Sequence, residues 1–259
     1  MATRRRRIVV SVLAVVLALV LGVGGLFFSA FAGNAPIRDG AGPTPGVQTV
    51  GLGFVSVFVI DVDPASVVLI DTGAEASGVR LLAALHARGF GPDAVRAIFL
   101  THGHSDHTAA VHAFPHADVY AMAAEVPLIA GLVGSHSPMG RIAGAHPTGI
   151  HVGHPLADGE SVNIGTLTVR AFAVPGHTSG SAAYLVRNTL FLGDEASSGK
   201  DGTVRGPAWV FSEDTTLGRA SLQALAARLQ REGEPVNALA FAHSGPIVGD
   251  ALTHLAQVH

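Results

Sequence analysis

The sequence predicts an α+β domain, two β-sheets packed face to face with helices outside them, behind an N-terminal membrane helix. Three observations predict it. An uncharged stretch, Ile8 to Phe28, follows four arginines, Arg4 to Arg7. Beyond it, apolar segments run in the order strands, helix, strand, helix, strands, helix, strand, helix, which suits two sheets covered by helices. Histidines and aspartates recur immediately after the apolar strands.

The N-terminal segment comes first. Residues 8–28 are 21 apolar or small residues, long enough as a helix to cross a bilayer core of ~30 Å. The arginines are expected to stay cytoplasmic and to place the catalytic domain on the extracytoplasmic side of the cell membrane. Ala30-Phe31-Ala32 has the small-x-small form of a signal-peptidase site, so residues 1–33 read either as an uncleaved anchor or as a signal peptide. Cleavage near Ala32 would leave a secreted or periplasmic protein. Residues 34–47, rich in Gly and Pro, read as a linker, and 48–259 as the catalytic domain.

Within the domain, Phe54 to Ile60 and Val67 to Ile70 read as a hairpin of β-branched strands, closed by Asp61-Val62-Asp63-Pro64. Ala76 to Arg88 carries Val79, Leu82, Ala83 and His86 at helical spacing, and Gly89 stops it. Ala97 to Leu100 is a short buried strand, Asp106 to Ala113 a helix, and Val119 to Met122 another strand. Gly131 to Pro155 is irregular and holds His136, His146, His151 and His154, which read as surface or pocket-lining residues or as a third metal site. Val162 to Val174 alternates about Gly165 as a hairpin does, and Ala182 to Val186 and Leu190 to Leu192 follow as strands. Leu217 to Leu229 is an amphipathic helix, Ala238 to Ala242 a buried strand, and Ile247 to Val258 a final helix.

Composition narrows the chemistry. The chain has no cysteine, so it has no disulfide and no thiolate ligand. Without Arg4 to Arg7, 12 basic residues face 19 acids, a net charge of −7 that argues against nucleic acid as a partner. A small molecule is the expected substrate. There is no G-x-S-x-G elbow for a serine nucleophile.

Thr101-His102-Gly103-His104-Ser105-Asp106-His107 sets three imidazoles and a carboxylate just beyond a buried strand. Alternation at a strand end points His102 and His104 the same way, toward one metal, and leaves Asp106 and His107 for a second. Three further strand ends present His177, Asp194 and His243.

These motifs, His102-x-His104-x-Asp106-His107, Pro175-Gly176-His177-Thr178, Gly193-Asp194 and Ala242-His243-Ser244-Gly245, with Asp71-Thr72-Gly73 opening the domain, resemble those of the metallo-β-lactamase superfamily over roughly residues 50–257. The resemblance implies the αββα sandwich. It implies two Zn2+ per chain, with Fe or Mn as alternatives, the first on His102, His104 and His177. The second falls to Asp106, His107 and His243, with Asp194 bridging. Asp71 either bonds a ligand histidine or caps a turn, and Thr178 either supports a ligand or caps a helix. Gly176 and Gly245, beside His177 and His243, would permit tight turns.

A carboxylate at Asp194, where cysteine-containing β-lactamases carry a thiol, is similar to the glyoxalase, lactonase and esterase branches. The expected reaction is cleavage of an ester, thioester or lactone by a hydroxide shared between the metals, with Asp106 orienting the nucleophile. β-Lactam hydrolysis and mononuclear iron persulfide dioxygenation are the alternatives. Nuclease relatives carry a large insertion for which the spacing from Asp106 to His243 leaves no room.

Overall fold

Strands in which every residue is buried need cover on both faces, and that requirement builds the architecture. The computed structural model describes residues 2–259, except for the side chains of 2–5, 7–9, 11, 19–21, 23, 26 and 27. The chain divides into two units, Met1–Gly33 and Asn34–His259.

The first unit is helix α1 (Ala2–Phe31). Among the described residues, no helix is long and apolar enough to cross a membrane. The expected membrane segment, 8–28, falls partly on side chains outside the described ones and gains no support here.

In the second unit, β1 (Gly40–Ala41), β2 (Val47–Gly51), β3 (Ser56–Asp63), β4 (Ser66–Ile70), β5 (Val95–Phe99), β6 (Asp118–Met122) and β7 (His154–Leu156) form one sheet in that order. Helices α2 (Val79–His86), α3 (Ser105–Thr108), α4 (Val126–Ile129) and α5 (Gly140–Ala143) lie in its connections. The second sheet holds β8 (Ser161–Ile164), β9 (Leu167–Ala173), β10 (Ala182–Val186) and β11 (Thr189–Phe191). A small ribbon, β12 (Ser197–Ser198) with β13 (Val204–Arg205), precedes α6 (Thr215–Glu232). Strands β14 (Ala238–Phe241) and β15 (Ser244–Val248) then complete the second sheet, in the order β15-β14-β11-β10-β9-β8, and α7 (Ala251–Ala256) ends the fold.

Period-two alternation gives the central strands, such as β4, β10 and β14, two buried faces. Phe58, Ile60, Val68, Ile70 and Phe99 meet Val169, Ala171, Tyr184 and Phe191 between the sheets. The opposite residues Val57, Val59, Val67 and Leu69 pack on Leu81 and Leu85 of α2. Phe172, Leu190, Leu239 and Phe241 pack on Leu222, Leu225 and Leu229 of α6 and Leu255 of α7. The result is a four-layer α/β/β/α sandwich. Phe99 sits at its middle, its ring 4.7 Å from Tyr120 and 5.4 Å edge-on to Tyr184. Phe99→Ala is expected to lower stability by about 3–5 kcal/mol, read as a fall in the urea midpoint.

Several expected elements differ. Residues 34–47, read as a linker, contain β1 and the first residue of β2, and are fastened to the domain. Ala35 N donates to Ser198 O at 2.8 Å, and Gly245 N donates to Ala35 O at 3.1 Å. The helix read over Ala76 to Arg88 begins only at Val79, because Gly78 is left-handed (φ 60°) and Glu75 accepts from Arg80 N. The helix read over Asp106 to Ala113 is α3 followed by a separate 3-10 turn, Val111–Ala113. Ala109 N donates to Gly73 O as well as to Ser105 O, and Ala110 N turns to Thr72 Oγ1. The final helix read from Ile247 begins at Ala251, since Ile247 and Val248 belong to β15.

Candidate metal centre

Strands β4, β5 and β6 are mutually parallel, and β11 is parallel to β14, so their C-terminal ends deliver chemistry to one edge. Asp71 follows β4, Thr101 to His107 follow β5, Asp194 follows β11, and His177 and His243 lie between β9 and β10 and between β14 and β15. The two sheets are tied at this edge: Ala182 N donates to Thr101 O at 2.8 Å, and Tyr184 OH to Leu100 O at 2.7 Å.

The seven predicted residues fall into two groups, His102 with His104 and His177, and Asp106 with His107, Asp194 and His243. In the first, His177 Nε2 lies 3.1 Å from His102 Nε2 and 3.0 Å from His104 Nδ1, and those two are 3.1 Å apart. In the second, His243 Nε2 is 3.0 Å from Asp194 Oδ2 and 3.4 Å from Asp106 Oδ2, and His107 Nε2 is 3.2 Å from Asp194 Oδ1. Asp194 stands between the groups, its Oδ2 also 3.6 Å from His177 Nε2.

The hydrogen bonds behind the rings fix which nitrogen faces inward. His107 Nδ1 donates to Asp71 Oδ2 at 2.8 Å, and His243 Nδ1 donates to the Phe54 carbonyl at 2.6 Å. Thr101 Oγ1 gives its proton to Asp71 Oδ2, so it accepts from His102 Nδ1 at 3.1 Å. Ser212 Oγ gives its proton to Ala208 O, so it accepts from His177 Nδ1 at 3.0 Å. Four imidazoles therefore turn Nε2 into the site. This is the outer bonding that orients metal-ligating histidines. His107 Nε2 and Asp194 Oδ1 are buried there without a hydrogen-bond partner. An all-nitrogen-and-oxygen donor set of this kind suits zinc, and also iron or manganese.

Electrostatics separates the groups. Burial pushes His102 well below its ordinary pKa and His177 down to about 3, and lowers His104. Burial also opposes charge on His107 and His243. The carboxylates outweigh it, chiefly Asp194, and hold His107 well above the usual range and His243 at about 10. Asp194 is held well below the carboxylate range and Asp106 at about 2, because His107 and His243 overcome the effect of burial.

Backbone geometry is tight around these groups. Asp71 is left-handed at φ 61°, a conformation uncommon for a residue with a side chain, and it spends that strain on three bonds, to Thr101 N, Thr101 Oγ1 and His107 Nδ1. Gly193 (φ 53°) lies so close to Thr101 that a Cβ would stand 2.6 Å from Thr101 Oγ1. Gly245, by contrast, is extended, and its lack of a side chain admits Pro36 O rather than a turn.

Of the other predicted residues, Asp71 bonds a ligand candidate, and Thr178 is buried behind His177, bonded to Glu125 and Ser181. His136, His146, His151 and His154 join neither group. His146 bonds Ala143 O, and His154 stacks on Tyr120. Sequence reasoning missed Ser212, the Phe54 carbonyl, and the buried Glu125 and Glu195. A hydroxyl, a carbonyl and two acids outside any motif carry no pattern of their own.

Known proteins are similar to this chain in sequence and in fold. Two curated relatives are named hydroxyacylglutathione hydrolase. The one from Aeromonas salmonicida (strain A449) is 37% identical over 107 residues, covering 40% of this chain and 34% of that protein. The one from Aeromonas hydrophila is 33% identical over 135 residues, covering 51% and 42%. The matched segments thus span well under half of those relatives. Among solved structures, a B3 metallo-β-lactamase with an active-site glutamic acid superposes with a TM-score of 0.64 at 22% identity, covering 88% of this chain and 90% of the other. MIM-1 from Novosphingobium pentaromativorans gives 0.62 at 23%, covering 87% and 88%. Those two likenesses show the fold. The profile of the metallo-β-lactamase superfamily matches residues 50–243, three quarters of the sequence, and the chain therefore belongs to that superfamily.

Proposed function

We propose that the chain is a dinuclear zinc hydrolase of ester, thioester or lactone bonds. One metal is assigned to His102, His104 and His177, the second to Asp106, His107 and His243, and Asp194 is shared. The observation that carries this reading is the pair of adjoining donor groups, with four imidazoles hydrogen-bonded from behind so that their Nε2 atoms converge.

Zinc held there supplies Lewis acidity to a carbonyl oxygen and lowers the pKa of water toward ~7. The side chains do the rest. Asp106, a quarter exposed, is the more open of the two carboxylates and is assigned to orient the attacking water by accepting its hydrogen bond. Asp71 holds His107 and, through Thr101, His102 in one tautomer each. Phe54, exposed and stacked on His243 at 5.6 Å, offers apolar surface to the acyl part of a substrate.

The relatives' name puts a hydroxyacyl thioester first on a substrate panel that also holds an ester, a lactone and the β-lactam nitrocefin. The zinc-loaded full chain is expected to hold two metals and to turn over an ester, thioester or lactone. Turnover of nitrocefin alone would replace this reading with β-lactam hydrolysis, and one iron per chain would replace it with dioxygenation. The N-terminal segment is proposed as an anchor or export signal on sequence grounds alone. The mass of the mature chain tests it, since cleavage near Ala32 removes about 32 residues.

A further inference from the structure

The His177 loop is gripped by two acids that take no part in the chemistry assigned above. Glu125 ends the 3-10 turn after β6 and is 0% exposed, and Glu195 follows Asp194 and is 1% exposed. Glu125 Oε1 accepts from Gly103 N at 2.8 Å and from Thr178 Oγ1 at 2.9 Å. It thereby joins the backbone between His102 and His104 to the residue after His177. Glu195 Oε2 accepts from His177 N at 2.8 Å. Ser181 Oγ closes the loop, accepting from Thr178 N and meeting Thr178 Oγ1, both at 2.9 Å.

The packing leaves no slack. A Cβ on Gly180 would run into Glu125, and one on Gly176 (φ 156°) would collide with Gly218 and with Glu195 Oε1. The far oxygens, Glu125 Oε2 and Glu195 Oε1, are buried without a hydrogen-bond partner. Burying a carboxylate on such terms is costly, and a hydroxyl or amide could cap a single backbone N–H for less. What the two acids accomplish together is to fix the two imidazole-bearing segments, His102–His104 and the His177 loop, and the Asp194 turn against one another at hydrogen-bond tolerance.

We propose that Glu125 and Glu195 are positioning residues, Glu125 clamping the His177 loop onto the His102–His104 segment and Glu195 clamping it onto the Asp194 turn, and so set the zinc affinity of the three-histidine position. The inference rests on the dinuclear reading above. The seven ligand candidates bind, and these two acids act only through them.

Zinc competition against a chelating dye, on the full chain in detergent, resolves the two affinities and tests the clamp at a temperature well below unfolding. Glu125→Ala and Glu195→Ala are expected to weaken the three-histidine position by about 10–100-fold, the usual effect of losing a group that orients a ligand. Glu125→Gln and Glu195→Gln keep an accepting oxygen in place and are expected to restore most of that loss. Thr178→Val keeps the shape, deletes the hydroxyl that donates to Glu125 and meets Ser181 Oγ, and is expected to weaken the same position while leaving the second unchanged. This variant decides the matter if an alanine variant does not fold. Wild-type affinity in the alanine variants or in Thr178→Val, or glutamine variants as weak as alanine, overturns the clamp. A wild-type chain that binds no zinc overturns the metal reading itself, and the clamp with it.

Discussion

Asp194→Ala is expected to abolish turnover and to strip the protein of its second metal. Asp194 Oδ2 lies 3.0 Å from His243 Nε2 and 3.6 Å from His177 Nε2, while Oδ1 faces His107 Nε2 at 3.2 Å, so one carboxylate serves both donor groups. Its removal leaves Asp106, at 3.6 and 3.4 Å, as the carboxylate that faces the Nε2 atoms of His107 and His243, with Asp71 behind His107. A loss of at least ~10³-fold in kcat/KM, about 4 kcal/mol of barrier, is expected. Elemental analysis should fall from two metals to one. A variant that keeps both at wild-type affinity contradicts the shared role.

His104→Ala is the second large effect. The first group has three ring nitrogens within 3.1 Å of one another and no carboxylate of its own, so deleting one leaves two neutral donors. Two imidazoles make a poor structural cage for zinc, which takes three protein ligands even at catalytic sites. Turnover should fall to background and the first metal should be lost, while the Asp106, His107 and His243 group keeps its ion. His104 is half-buried and no bond fixes its outer nitrogen, so the fold should survive, which circular dichroism checks. Undiminished hydrolysis would remove the site from consideration.

The candidate site was legible because each stretch of possible donors follows a run of residues that only a buried strand explains. Ile98-Phe99-Leu100 before His102 and Ala240-Phe241-Ala242 before His243 announce both the strand and the edge at which it ends. Register then does the remaining work, since parallel β4–β5 and β11–β14 bring distant stretches to one place.

The misreadings have equally specific causes. Ile247, Ala251, Leu255 and Val258 repeat at helical spacing, and all four are indeed in one apolar cluster. Two consecutive left-handed residues, Gly249 (φ 82°) and Asp250 (φ 44°), break the segment into a strand and a helix that share that face. Strands β1, β7 and β12 run two or three residues, too short for any period to register. Glycine and proline in 34–47 conceal contacts made by main-chain atoms, on which side-chain pattern is silent.

Those main-chain contacts bear on how the protein can be rebuilt. Asn34 Nδ2 donates to the His243 carbonyl at 3.3 Å, and Ala35 exchanges bonds with Ser198 and Gly245 on the far side of the same turn. A foreign leader grafted after Gly33 leaves this brace whole. One grafted at Val47, where a reader of composition would cut, deletes the brace on the carbonyl of His243, a candidate metal ligand. The compact unit therefore begins at Asn34, and its first residues brace the turn that carries His243.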